Sequence, residues 1–488
     1  MPFTQLINDQ KEYFNSQITK DINWRTTQLL KIKRLVIENE QALLKALADD
    51  LAKPYQESWM TELSYITSEV DHTLKHLKKW AALRRVNSPL VTWPARSFIQ
   101  PEPLGTVLII GAWNYPLQLI LSPLVAVIAA GNCAILKPSE LAPATAQLLE
   151  TLLPQYLDAK AVSLVQGGVE QTTELLNAKF DHIMYTGNGQ VAKIIMAAAA
   201  KHLTPMTLEL GGKSPVFIDD SADIAIAAQR LAWGKWLNAG QTCIAPDHVM
   251  VTKSLLAPLL TALKTEIVAM FGEEPKRSDS YGRIINQRHA KRLANYLTMA
   301  NIAFGGDVDI QNCYISPTIV VNPETKSALM QEEIFGPILP IIVVDDFQHA
   351  INLIVENDKP LAAYLFTRNK KQEQQWLTEI SAGSIAINDV MMFSAVADLP
   401  FGGVGASGFG QYSGKVGFDN FSHLKAVIKR PFLKDLALRF APFTQKKLCT
   451  IKMKLFTVIS ESRQIRYIIR NPGYAVSGGL NAITHSIK

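Results

Sequence analysis

The residue types that could do chemistry converge on Cys243 and Glu209. Cys243 lies in the stretch Asn238-Ala239-Gly240-Gln241-Thr242-Cys243-Ile244-Ala245-Pro246, a small-residue turn that follows a helical segment and runs into a proline. Upstream stands Leu208-Glu209-Leu210-Gly211-Gly212-Lys213-Ser214-Pro215, a carboxylate ahead of paired glycines. A cysteine sulfur can attack a carbonyl carbon and a carboxylate can activate water, so the two groups together could form and then hydrolyse a thioester. A lone cysteine is more often a small buried hydrophobe. Cys133, Cys313 and Cys449 have no polar company and read that way.

The elements that must position such a pair follow from the apolar pattern. Residues 5–80 read as long amphipathic helices, with apolar side chains at three- and four-residue intervals. Four prolines between Asn87 and Pro103 mark an irregular or extended connection. Short apolar strands then alternate with helices: strands at 106–110, 134–136, 162–165 and 182–186, helices at 117–130, 144–153, 172–177 and 191–202. Alternation of this kind implies a parallel sheet, whose ligands lie beyond the carboxyl ends of its strands. Three polar loops occupy those ends: Trp113–Tyr115, Lys137–Glu140 and Thr186–Gly189. Thr186-Gly187-Asn188-Gly189 opens a helix, a natural seat for a pyrophosphate, although an ordinary Asn-capped turn has the same form. Lys137 and Glu140 next to it could hydrogen-bond a ribose diol.

A second α/β region runs from Ser214 to about Asn388, with strands at 216–218, 248–252 and 338–344 and a helix at 224–236. Gln331-Glu332-Glu333-Ile334-Phe335-Gly336-Pro337 forms an acidic-aromatic loop there, which alone reads as a solvated turn. The Gly-rich segment 401–417 is expected to be close-packed backbone or a flexible loop. Gly403-Val404-Gly405-Ala406-Ser407-Gly408 has dinucleotide-loop spacing but lacks the preceding strand, and Gly212-Lys213-Ser214 imitates a P-loop whose first glycine is replaced by Thr207.

Composition sets the outer bounds. The 488 residues are 48% hydrophobic and 19% charged, which suits a soluble protein of two or three domains. The four cysteines include no CxxC pair and the nine histidines no HExxH, so a reducing compartment is expected and no metal site. The apolar run 117–130 is shorter than the roughly 20 residues that span a bilayer and reads as a buried helix. The polar first residues have no secretory core, so a cytoplasmic protein is expected. Residues 429–488 hold twelve Lys/Arg against Asp435 and Glu461, a balance of +10 that leaves the preceding 428 residues at −4. A mildly acidic body does not suggest nucleic-acid binding.

Seven motifs stand in one order along the chain: GAWNYP (111–116), KPSE (137–140), YTGN (185–188), LELGGKSP (208–215), GQTC (240–243), EEIFGP (332–337), and NDVMM (388–392) followed by LPFGGVGASG (399–408). In these the chain resembles the NAD(P)-dependent aldehyde dehydrogenases, specifically the class 3 branch that includes fatty aldehyde dehydrogenase. The resemblance implies an α/β fold with a Rossmann-type parallel-sheet cofactor domain, a second α/β catalytic domain and a small oligomerisation segment. The implied divisions are N-terminal helices and dinucleotide-binding domain over 1–207, catalytic domain over 208–400, Gly-rich return and oligomerisation strand over 401–428, and basic tail over 429–488.

Carried over position by position, the resemblance makes Cys243 the nucleophile, Glu209 the base for the hydrolytic water, and the Asn114 amide with the Cys243 N–H the oxyanion hole. A good donor in such a hole contributes roughly 3–4 kcal/mol. It assigns the nicotinamide ribose to Glu333 with Phe335 beside the ring, the adenosine ribose to Lys137 and Glu140, the pyrophosphate to Thr186, Gly187 and Asn188, and further cofactor contacts to Leu210 and Gly211. Trp113, Tyr115, Trp233 and Leu237 would line an apolar substrate tunnel, favouring medium- or long-chain aliphatic or aromatic aldehydes. Lys213 receives no catalytic role. Glu140 should repel a 2′-phosphate, so NAD is expected over NADP.

Three residues depart from the pattern: Asn188 and Ala192, where many relatives have Ser and Gly, and Phe393, where class 3 members often have His. The expected effects are a tighter phosphate approach from the Ala192 methyl and a greasier substrate pocket from Phe393. A homodimer is expected, with an edge strand near 421–428 added across subunits. The alternatives are an acylating dehydrogenase that passes the acyl group to coenzyme A, or a non-catalytic binding protein on the same fold.

The resemblance fades over the last 60 residues. There Lys446, Lys447, Lys452, Lys454, Arg463, Arg466 and Arg470 interleave with Leu448, Ile451, Leu455, Phe456, Ile459, Ile465, Ile468 and Ile469, a pattern expected to touch anionic lipid peripherally. A solvated tail, or one packed on the body or on a partner subunit, would carry the same sequence.

Overall fold

The structure, a computed structural model, describes residues 3–433 and 435–460. It divides into two compact units, Met1–Val86 with Phe98–Val427, and Asn87–Ser97 with Ile428–Lys488.

The larger unit begins with helices α1 (Thr4–Asn15), α2 (Ile22–Glu38), α3 (Glu40–Leu51), α4 (Tyr55–Ser58) and α5 (Ser64–Trp80), with one π-helical turn at Trp59–Leu63 joining the last two. The apolar stripes of α2 (Leu29, Ile32, Val36) and α5 (Ile66, Val70, Leu77) meet α6 (Gln118–Ala130) in one core. As expected, α6 is buried on all sides, and each Leu, Ile or Val so placed contributes about 1.5–3 kcal/mol.

The first sheet contains β3 (Thr106–Ile110), β4 (Cys133–Lys137), β5 (Val162–Leu164), β6 (His182–Thr186), β7 (Met206–Glu209) and β17 (Gly408–Phe409), in the order β17-β7-β6-β3-β4-β5. All pairs among β3 to β7 are parallel. β3, β4 and β6 are buried at every residue, because helices cover both faces, and so they read as continuous apolar runs. Strand order reverses between β3 and β6, which opens a crevice at their carboxyl ends. The crossover helices are α6, α7 (Pro143–Tyr156), α8 (Val169–Leu176) and α9 (Gly189–Ala200), and Asp50 caps α7 by accepting the Ala144 and Thr145 N–H groups.

The second sheet contains β8 (Pro215–Ile218), β9 (His248–Thr252), β10 (Ile302–Phe304), β13 (Thr318–Val321), β14 (Ile338–Val344), β15 (Ala362–Phe366) and β16 (Ser384–Ile387), ordered β10-β13-β14-β9-β8-β15-β16. Only β10 runs antiparallel to its neighbour. A hairpin of β11 (Val308–Asp309) and β12 (Tyr314–Ile315) lies apart from this sheet. Helices α10 (Ile224–Trp236) and α11 (Lys253–Phe271) belong to this half. By length and composition α11 is apolar enough to cross a membrane, but it buries Leu259, Leu263 and Ile267 in the core of the second sheet.

A third sheet joins β1 (Arg84–Val86), β2 (Arg96–Pro103) and β18 (Ser422–Lys429), so the proline-rich connection contains a regular strand. The division at 207/208 falls inside β7, and residues 401–428 are shared between β17 in the first sheet and β18 in the third. Strand pairing across hundreds of residues makes these assignments, and local pattern cannot anticipate it. The Gly-rich segment is close-packed: a Cβ at Gly402, Gly403 or Gly408 would collide with a backbone carbonyl. The dinucleotide-like spacing at 403–408 forms a short 3-10 turn leading into β17, antiparallel to β7, and opens no helix.

In the smaller unit, Arg430 donates to the Thr92 and Trp93 carbonyls at 3.3 Å and pairs with Asp435, which also pairs with Arg439 at 2.8 Å. A helix runs from Gln445 to Ser460. Arg463, Ile465, Arg466, Ile468, Ile469 and Arg470 lie outside the described residues.

Candidate functional site

A cleft of about 870 Å³ runs from the carboxyl edge of the first sheet to the turn after α10. Its lining brings together Asn114, Lys137, Glu140, Thr186, Gly187, Asn188, Glu209, Leu210, Gly211, Cys243, Glu333 and Phe335, with Trp113, Tyr115, Trp233 and Leu237.

Cys243 follows a strained turn. Asn238, Ala239 and Gly240 all have positive φ, at 52°, 50° and 75°. Asn tolerates this conformation and Gly prefers it, whereas Ala239 stores strain. A side chain at Gly240 would also collide with the Gly336 carbonyl. Hydrogen bonds hold the turn: Asn238 N–H donates to Glu57 (2.9 Å), and the Asn238 amide donates to the carbonyls of Asn114 (2.8 Å) and Gln241 (3.2 Å). Asn114 Nδ2 donates to the Gln241 carbonyl at 3.0 Å, so this amide already lies against the cysteine turn. Tyr115 OH and Thr242 Oγ1 are 2.6 Å apart. Tyr115 is thus a buried support of the turn that also reaches the cleft wall.

The electrostatics follow from burial. Glu209 is 3% exposed, and among the described residues neither carboxylate oxygen has a hydrogen-bond partner, so desolvation raises its pKa well above the ordinary range. Burial also pushes the Cys243 thiol up to about 12, helped by the charges of Glu333 and Glu209. Glu333 itself is pushed up to about 8, by burial and then by Asp247, with the Gly212 N–H opposing. Its carboxylate lies over Gly211, where any side chain would collide with it. Behind it Lys213 binds Asp247 at 2.5 Å and the Glu332 carbonyl at 2.8 Å, while Asp247 accepts the Ile334 N–H at 3.0 Å. The loop is clamped on both sides of Glu333, by Lys213 at Glu332 and by Asp247 at Ile334.

The other end of the cleft fits a dinucleotide. Thr186 Oγ1 is buried without a partner among the described residues, an acceptor and donor available to a ligand. Gly187 leaves room for the Tyr185 hydroxyl beneath it, which a Cβ there would have to displace. Asn188 caps α9 by accepting the Val191 N–H at 2.9 Å, and the helix presents its N-terminal turn to the cleft. Lys137 is 2% exposed and donates to the Pro138 carbonyl, 3.9 Å from the half-exposed Glu140. Val169 (80% exposed) and Ile194 (66%) leave apolar walls uncovered there, suited to a flat base. Neither residue stands out in the sequence, since each is one apolar position on an amphipathic helix.

Two expectations change. The Ala192 methyl does not tighten the phosphate seat, because Ala192 is fully buried on the inner face of α9. Phe393 stacks between Tyr364 and Phe401 at 6.4 Å from each, and Phe401 faces the cleft in its place. Trp113 packs edge-on to Phe335 at 5.3 Å and lies 5.3 Å from His289, which puts it at the acidic-aromatic loop. Tyr65 and Tyr412 also reach the centre, and the charges of Glu209 and Cys243 help burial raise both phenols. Tyr65 has no local sequence signal, while Tyr412 sits in the Gly-rich segment and Met391 and Met392 sit in NDVMM.

With this cleft at the carboxyl edge of a largely parallel sheet, and with the profile of the Aldehyde dehydrogenase family matching residues 4–427, the chain belongs to that family. It is 46% identical over 455 residues to "Aldehyde dehydrogenase family 3 member A2" of Mus musculus, covering 93% of this chain and 94% of the relative. It is 44% identical to "Aldehyde dehydrogenase, dimeric NADP-preferring" of Mus musculus, covering 91% and 98%. Among solved structures, substrate-bound Staphylococcus aureus AldH superposes with a TM-score of 0.90 at 42% identity, covering 92% and 99%. The Mycobacterium tuberculosis aldehyde dehydrogenase complexed with NAD+ gives 0.76 at 25% identity, covering 84% and 86%.

Proposed function

We propose that this enzyme oxidises aldehydes to carboxylic acids with NAD(P), through an acyl-cysteine at Cys243 that water activated by Glu209 hydrolyses. The observation that carries the reading is Glu209, a buried carboxylate with both oxygens unengaged among the described residues, in a cleft shared with the Cys243 thiol. Burial keeps that thiol protonated at rest, so its proton must pass to an acceptor as sulfur attacks the carbonyl carbon. Glu209 and Glu333 are the carboxylates whose charge reaches the sulfur. The resulting oxyanion would be held by the Asn114 amide and the Cys243 N–H. Bound NAD(P) would supply the hydride acceptor, and Cys243 would then carry the acyl group as a thioester. Glu209 then takes a proton from water as the oxygen attacks the acyl carbon, and the sulfur leaves. Lys137, Glu140, Thr186, Gly187, Asn188, Leu210, Gly211, Glu333 and Phe335 would hold the cofactor. An acyl-transferring enzyme needs no hydrolytic base, so Glu209 favours hydrolysis over transfer to coenzyme A.

Trp233, Leu237, Met391, Phe401 and Tyr412 make the substrate arm apolar, which supports medium- or long-chain aliphatic or aromatic aldehydes. NADH formation at 340 nm tests the core reading. Cys243→Ala should lose activity, and Glu209→Gln should release one burst of NADH and then stall. Full steady-state turnover in Glu209→Gln would remove the hydrolytic role. A rate series from two to sixteen carbons should peak at long chains, and a maximum at two carbons would discard the substrate class.

The dimeric relative supports a homodimer, with β18 as the strand added across subunits. Four free thiols support a reducing, cytoplasmic setting. The basic tail would touch anionic membrane peripherally. Liposome co-sedimentation of the full chain against a truncation at Lys429 decides this, and equal pelleting would end it.

A further inference from the structure

Behind the Asn114 loop lies an ion pair that fold stability does not explain. Lys53 and Glu62 side chains are both 0% exposed and 2.6 Å apart. Burying two charges costs several kcal/mol per ion, and an apolar pair of similar volume often serves stability as well or better. The hydrogen-bond partners of this pair lie on one loop and the first residue of α6. Lys53 Nζ donates to the Asn114 carbonyl at 3.1 Å, and its ammonium sits 4.1 Å from the Tyr115 ring centroid. Glu62 Oε2 accepts the Leu117 N–H at 2.9 Å and the Gln118 N–H at 3.1 Å. The pair therefore grips the loop on both sides of Pro116. Glu62 reaches it from the π-helical turn at Trp59–Leu63, whose extra residue redirects that face of the helix, and such turns are frequent at functional sites.

The Asn114 carbonyl receives two donors, Lys53 Nζ and Asn238 Nδ2. With both lone pairs used, the peptide plane after Asn114 is set, and with it the direction in which the side-chain amide leaves the loop. We infer that Lys53 and Glu62 are positioning residues that aim the Asn114 amide at the reacting oxygen, an inference that rests on Asn114 being an oxyanion donor. They touch no substrate and act through Asn114.

The test is the Lys53→Met/Glu62→Gln double variant, which removes both charges and keeps an oxygen acceptor for Leu117 and Gln118. A misplacement of about 1 Å at such a donor can cost on the order of a hundredfold, so kcat for aldehyde oxidation should fall 10- to 100-fold. KM for NAD should stay within twofold. Alkylation of Cys243 by iodoacetamide needs no oxyanion donor and should also stay within twofold. Combining the double variant with Asn114→Ala should add no further loss beyond Asn114→Ala alone, because the amide being aimed is gone. Additive losses, or alkylation falling in step with kcat, would overturn the inference. So would a kcat retained in the double variant while Asn114→Ala loses activity. If Asn114→Ala itself keeps full activity, the oxyanion reading fails first, which separates the two ideas. If the double variant does not fold, Glu62→Gln alone carries the same expectations at a smaller loss.

Discussion

Glu62 and Glu209 are both buried carboxylates, 0% and 3% exposed, yet the first is engaged through both oxygens and the second, among the described residues, through neither. Glu62 supports the Asn114 loop from behind, away from the cleft lining, and Glu209 opens onto the cavity in front. A buried polar group that is fully satisfied rigidifies its surroundings, while one left unsatisfied costs free energy. On the proposed function, the fold tolerates Glu209 because its missing partners would be ligands. The contrast separates a scaffold carboxylate from a reactive one more sharply than depth of burial does.

The largest effect that would sharpen this contrast is on stability. Glu62→Leu takes from Lys53 its hydrogen-bonded counter-charge, leaving only the longer-range charge of Glu57, and should cost about 3–5 kcal/mol in urea melts. Glu209→Leu removes an unsatisfied group and should be neutral or stabilising by up to about 1 kcal/mol, at the expense of activity. The reverse order would break the comparison.

A smaller effect lies in pH dependence. Burial raises the Glu209 pKa in the folded protein, while in the unfolded chain it is near 4.3. Its neutral form is thus favoured by folding, and stability falls as pH rises from the unfolded value through the folded one. The Tm advantage of Glu209→Gln over wild type should therefore be larger at pH 9 than at pH 5. Turnover should run the opposite way, gaining as Glu209 ionises, with the acid limb above the ordinary carboxylate range and absent from the slow residual turnover of Glu209→Gln. An acid limb that survives the substitution would assign it to another group, with Glu333 at about 8 the first to examine.

The smallest effect concerns a third carboxylate, Glu140, which is half exposed and 3.9 Å from Lys137. Wild type should prefer NAD, and Glu140→Gln should shift the kcat/KM ratio toward NADP by only about two- to fivefold, because solvent screens exposed charges. Comparable kcat/KM for both cofactors in wild type would defeat the preference.

Much of the fold was readable along the chain because its signals are local. Buried parallel strands such as β3, β4 and β6 are short continuous apolar runs, and α6 is apolar on every face. The carboxyl-end loops could be placed from strand-helix alternation, and Asn188 could be read as a cap. What escaped was the direction of single side chains. Ala192 could not be assigned to the inner face of α9 from the methyl alone, and Phe393 and Phe401 could not be told apart as wall and lining. Tyr65, Val169 and Ile194 carry no signal because one apolar residue on an amphipathic helix has the same form wherever that helix faces.

Residue types and their order alone determined that this chain has a thiol, a carboxylate of a type that can activate water, and polar loops at the strand ends of a parallel α/β framework. Those features depend on local propensity and on chemistry that few side chains can perform. Tertiary structure alone decided that Glu209 would be left without partners among the described residues while Glu62 received three, since both begin as glutamates in helix- or strand-forming surroundings. It also decided that Lys53 would meet the Asn114 carbonyl across 61 residues and that Asn238 would meet it across 124. Desolvation and hydrogen-bond satisfaction depend on which segments meet in space, and distance along the chain carries no information about that.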